Sequence, residues 1–211
     1  MTDARATQEG AARHQFATSL PIRQDFAGIA ASGGYREYAD LLPPPCAPAE
    51  LAAVKEEILD QLATTAVLAL ATQSPEGWPQ MHEMHFSTMV DAGRRPVIFS
   101  FTHPNTRKVI NIPNDGRVAL SCYKTISFER RRETRAFYGR GLARMVDDPA
   151  EWELAEKAHW MKEGQEYAKL LRVEGQPLIR IDILQGVWFN PTRRPRHCLV
   201  DYFDRSIQQD A

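Results

Sequence analysis

The sequence predicts a mainly β domain of the α+β kind, a small closed antiparallel barrel of six strands with flanking helices and an N-terminal extension. Six segments of strand length and composition, at 67–72, 80–87, 97–102, 118–123, 134–146 and 178–187, carry that expectation. Turn chemistry separates several of them, in PEG at 75–77, DAGRR at 91–95 and NDG at 114–116. The long helical patterns lie outside these runs, before the first and between the last two.

Taken in order, residues 1–20 are polar and Ala-rich without periodicity and read as a mobile arm. Phe26, Ile29, Tyr35, Tyr38, Leu41 and Leu42 follow, too many apolar groups to remain in water. The extension, 1–48, is therefore expected to pack on the barrel or on a partner, and 49–211 to form the barrel domain. Pro43, Pro44, Pro45 and Pro48 stiffen the chain ahead of a helix at 49–63, where Leu51, Val54, Ile58 and Leu62 recur at helical spacing. After the fifth strand, Asp148 and Pro149 start a second long helix predicted to reach about residue 173.

Composition bounds the function. With 211 residues, 43% of them hydrophobic, the chain can bury a real core. A formal net charge of −1 gives no general steering toward nucleic acid or an anionic membrane, so any basic site is local. No stretch has the length of a transmembrane helix, and the N-terminus lacks a signal-peptide pattern; a soluble, cytoplasmic protein is expected. Cys46, Cys122 and Cys198 are far apart with no CxxC, which points to reduced thiols and to neither a disulfide framework nor a zinc site.

The most informative run is FSFTHPNTRKVIN, 99–111. An apolar strand ends at Pro104, and Asn105 or Thr106 can cap a short helix closed by Pro113. Arg107 and Lys108 in its first turn oppose the helix dipole unless an anion gathers them together with the free amides. A phosphate fits that description, whereas two solvated surface cations are the plain alternative.

Together with VLALAT at 67–72, the Gly77-Trp78-Pro79 turn, the run 95–123, and Gly141-Leu142-Ala143 leading to Asp147 and Asp148, this run resembles the pyridoxamine 5'-phosphate oxidase-like family of flavin-binding split barrels. The resemblance implies a six-stranded antiparallel split β-barrel and a homodimer holding flavin mononucleotide (FMN) in the cleft between protomers. It further implies an oxidoreductase acting on a small molecule, with deazaflavin or haem as alternative cofactors or a non-catalytic flavin-binding role. Thr106, Arg107 and Lys108 match the family's phosphate-holding triplet, and Phe101 and Thr102 the pair beside the flavin ring. His82 stands where the oxidases carry another phosphate-contacting arginine, although it reads nearly as well as a solvent-facing strand histidine. Trp188 matches an aromatic at the flavin edge and reads equally as a core tryptophan.

Arg193, Arg196 and His197 depart from the oxidases' substrate-binding tail, and Ser87 replaces a substrate-binding lysine, so vitamin B6 phosphate is not the expected substrate. Arg193 and Arg196 remain candidate anion contacts. The loop TISFERRRET, 125–134, carries Arg130 and Arg131 as candidate substrate contacts, or is a solvated hairpin tip. His82, His85 and His103 raise the question of a haem or metal ligand. No catalytic acid or base is assigned.

Overall fold

A computed structural model gives the structure and describes residues 43–92, 94–123, 127–164 and 176–202. The N-terminal extension up to residue 42 lies outside them, as do residues 165–173 of the second long helix predicted from sequence, which in the structure ends at Glu163 with Gly164 at its C-cap, φ +90°.

Helix α1 (Pro48–Thr64) starts on its proline, whose missing amide costs nothing there, and buries Val54, Ile58, Gln61 and Leu62. Strands β1 (Val67–Gln73) and β2 (Pro79–His85) form a hairpin around Gly77, which takes φ +86°, open to glycine and strained for other residues. Next come β3 (Ser87–Val90), β4 (Pro96–Phe101), the short helix α2 (Arg107–Asn114) and β5 (Arg117–Tyr123). A 3₁₀ helix (Phe128–Glu133), β6 (Ala136–Met145), α3 (Pro149–Glu163), β7 (Leu178–Phe189) and β8 (His197–Asp201) complete the chain.

Every ladder between these strands is antiparallel, and the order across the sheet is β2-β1-β5-β6-β7-β4-β3, with β8 also on β7. The end strands β2 and β3 are separated in sequence by Phe86 alone, so the two ends of the sheet must meet and the sheet curls back on itself. The Ser100 hydroxyl, on β4, donates to the His85 carbonyl at 2.8 Å across that seam. β7 is long enough to serve two neighbours on one edge: 178–182 pair with β4 and 185–189 with β8. Inside lies a continuous core from α1 and the inward residues, among them Leu68, Leu70, Phe86, Ile98, Phe137, Ile181 and Trp188.

The antiparallel barrel is as expected, but among the described residues it has eight strands and not six. The segment predicted at 80–87 is two strands, because Phe86 turns its ring into the core and redirects the chain. β8 is a further strand that the sequence does not predict, since it is short and follows the Arg- and Pro-rich stretch 193–196. β8 also ties down the start of the described chain: Leu199 donates to the Pro44 carbonyl at 2.9 Å, and Cys46 to the Leu199 carbonyl at 2.9 Å. Among the described residues, no helix is long and apolar enough to cross a membrane.

Candidate functional site

Helix α2 begins without a side-chain cap. Thr106, at the capping position, instead donates its hydroxyl to the His103 carbonyl at 3.0 Å and lies 3.2 Å from the Thr102 hydroxyl. The amides of Arg107 and Lys108, the first two of the helix, have no intrahelical acceptor, so their partial positive charge is unanswered. Lys108 is only 7% exposed and, among the described residues, makes neither hydrogen bond nor ion pair. Burial pushes its pKa below the usual lysine range. Arg107 beside it is exposed and likewise makes no hydrogen bond or ion pair among the described residues.

His82 sits on the inward face of β2, half-buried, with Nε2 3.0 Å from the Thr72 hydroxyl. Asn111, on α2, donates to the same hydroxyl at 2.8 Å and to the Gln80 side chain at 3.0 Å, pinning the helix to the β1–β2 hairpin. Burial, and then the charges of Lys108 and Arg107, lower the pKa of His82. This histidine is therefore neutral at pH 7 and belongs to a cationic neighbourhood that would favour an added anion.

A cavity of about 300 Å³ opens beside this helix start. Phe101, Thr102 and His103 line it from the end of β4, Thr106 and Lys108 from α2, Glu83, Met84 and His85 from β2, and His159 from α3. The structure thus brings together Phe101, Thr102, Thr106 and Lys108, with Arg107 and His82 flanking. Sequence reasoning missed His159. Its only signal was Ala155-Ala158-His159 on one stripe of the helix, two small residues that let α3 pack closely and carry a histidine inside.

Other candidates lie elsewhere. Trp188 is a core residue, 1% exposed, whose indole N–H donates to Glu57 at 2.9 Å; it does not line the cavity. Arg193 is held by Glu57 and by Glu50 at 3.5 Å, so its charge is already answered. Burial alone would raise the pKa of Glu57, but hydrogen bonds from Arg193, Trp188 and Asn190 outweigh it and hold the carboxyl below its ordinary value. Arg130 pairs with Glu133 at 2.5 Å in the 3₁₀ helix, and Arg131 and Arg196 are exposed; none of the three lines the cavity. Among the described residues, no group of three or more His, Cys, Asp or Glu is arranged to hold a metal ion.

A sequence model of the pyridoxamine 5'-phosphate oxidase family matches residues 54–185, more than half of the chain and all of β1 to β6. The chain belongs to the pyridoxamine 5'-phosphate oxidase family. None of the curated proteins matches it in sequence. Among solved structures it is similar to a haem-binding protein from Mycobacterium smegmatis, at 18% identity and TM-score 0.56, over 71% of this chain and 58% of that one. It is also similar to HutZ, the haem storage protein from Vibrio cholerae, at 18% identity and TM-score 0.52, over 65% of this chain and 94% of that one. ChuZ from Campylobacter jejuni follows at 11% identity and TM-score 0.53, over 71% and 60%. These likenesses are of fold. The chain spans little more than half of the first of these proteins.

Proposed function

We propose that this protein binds FMN and is a cytoplasmic flavin-dependent oxidoreductase acting on a small molecule. The observation that carries the reading is the uncapped start of α2 with Lys108 buried and unpaired. A phosphate there would meet the Lys108 ammonium, the Arg107 guanidinium and the free helix amides, each a charge-assisted contact or a helix-end donor, and the Thr106 hydroxyl once its proton turns from the His103 carbonyl. The chain's residues bind and orient: Thr102 shares the Thr106 hydroxyl, and Phe101 offers an apolar wall to a ring. Flavin, when bound, supplies hydride or electron transfer.

We also infer a homodimer with the cofactor near its interface. The outward face of the barrel supports this: Ala69, Ala71, Ala119 and Ser121 are small, adjacent across β1 and β5, and flanked by the exposed Met81 and Glu83 on β2 and Tyr138 and Arg140 on β6. Such a flat face admits close approach of a second copy.

Haem is the second reading, favoured by His85, His103 and His159 on one cavity and by the fold likeness to the haem-binding protein from Mycobacterium smegmatis and the haem storage protein from Vibrio cholerae. Absorption spectra of the purified protein, as isolated and after adding FMN or haemin, separate the two. FMN uptake without a sharpened and shifted Soret band on adding haemin is expected; such a band saturating at a fixed stoichiometry, with no FMN uptake, would overturn the flavin reading.

A further inference from the structure

His159 is 1% exposed, and among the described residues neither ring nitrogen has a hydrogen-bond partner. Native interiors seldom keep a polar group in that condition unless something absent from the chain itself satisfies it. Its surroundings are built. Ala155 and Ala158 bury the same face of α3, and the Phe101 ring lies 5.2 Å away, tilted by 51°. Trp152 backs Phe101 at 5.1 Å, its own N–H held by the Val146 carbonyl at 3.1 Å. The Phe99 carbonyl faces the imidazole without hydrogen-bond geometry.

Burial, and then the charge of Lys162, push the His159 pKa down to about 4, with His85 adding to the shift and the Phe99 carbonyl opposing it. At neutral pH the ring is therefore uncharged, with one N–H and one lone pair. The cations near it favour an oxygen acceptor over a cationic group. The grouping differs from the one at α2: Lys162 and His85 act on His159, whereas Lys108 and Arg107 act on His82. One cavity thus carries two polar sites, one charged and one neutral, with Phe101 on its wall.

We propose that His159 is a second ligand contact of this cavity, donating its N–H to a carbonyl oxygen on the planar ring of the ligand whose phosphate rests at Lys108. The proposal rests on the phosphate reading above. It assigns to the ligand a ring carbonyl as well as a terminal anion.

The test titrates wild type, His159→Leu, His159→Gln and Lys108→Met with FMN and riboflavin by fluorescence quenching, with inorganic phosphate as competitor, and records melting of each ligand-free protein. His159→Leu is expected to weaken FMN and riboflavin equally, about tenfold, the usual scale for one lost hydrogen bond in a buried site. Phosphate competition should be unchanged, His159→Gln should recover most of the loss, and ligand-free His159→Leu should melt at or above wild type. Lys108→Met should weaken FMN and phosphate and spare riboflavin. If Lys108→Met weakens neither, the phosphate reading fails. If Lys108→Met behaves as expected but His159→Leu binds both flavins like wild type, or merely melts lower, the role given to His159 fails. Should His159→Leu fold poorly, His159→Phe keeps a ring against Phe101, and wild-type flavin binding by it overturns the proposal. Wild-type protein that takes up neither flavin overturns both.

Discussion

Lys108 and His159 are each destabilising where they stand, and that is the strongest residue-level sign of a ligand. Burial lowers the pKa of Lys108, so the folded chain holds its charge at a cost that the unfolded chain does not bear. Lys108→Met is expected to raise the ligand-free melting temperature while weakening FMN. Differential scanning calorimetry with and without FMN checks both signs. For His159 the folded pKa is about 4 against an unfolded value of 6.5. Between these limits the unfolded chain binds a proton that the folded chain refuses, so stability falls as pH drops from about 6.5 to 4, by about 3 kcal/mol from this residue. His159→Leu removes that dependence; urea melts at pH 7 and pH 4.5 should show its advantage over wild type growing at the lower pH. The Thr106-Arg107-Lys108 triplet was legible in sequence because cations in a first helical turn are a local contradiction. His159 was not, because nothing local distinguishes it from a histidine on a solvated helix; α3 packing against β4 makes it matter.

Elements were legible where alternation was clean. β5 alternates exposed and buried along its length, and β1 nearly so, because each has one face in the core and one outward. Alternation is silent about where a strand bends. It ran β2 into β3, and a five-residue strand behind three arginines and two prolines gave β8 no visible signature. Trp188 illustrates the same limit: its place at the end of β7 was readable, but its burial depends on Glu57, 131 residues earlier, reaching over from α1. Glu57→Ala would leave the indole N–H without its partner and Arg193 without its closest carboxylate, costing about 2–3 kcal/mol; FMN affinity should be unchanged, since neither residue lines the cavity. Gly141 marks another constraint. The β6–β7 register shifts there, and a Cβ would come within 2.3 Å of the Asp182 carbonyl oxygen, which is backbone. Gly141→Ala is expected to cost more than about 2 kcal/mol, because two paired strands must move apart. Chemical denaturation with an unchanged midpoint would contradict this.

At the scale of the whole molecule, Phe86 closes the sheet, and this brings the end of β2 beside the end of β4, where α2 and α3 complete the cavity. Fold and pocket therefore have one cause, the short link between the two end strands. A second copy is expected on the outward β1–β5 face, and Ala119→Arg, which puts a long cation into that flat surface, should shift sedimentation from dimer to monomer; a monomeric wild type that holds cofactor would remove this inference. The central claim is that the start of α2 holds the phosphate of a flavin, and the most direct measurement is the ratio of FMN to riboflavin affinity in wild type and Arg107→Ala. Charge-assisted contacts are worth roughly 1.5–3 kcal/mol each, so wild type should prefer FMN by about a hundredfold or more, and Arg107→Ala should cut that preference at least tenfold with riboflavin unaffected. Equal affinity for the two flavins, or equal weakening of both by Arg107→Ala, would contradict it.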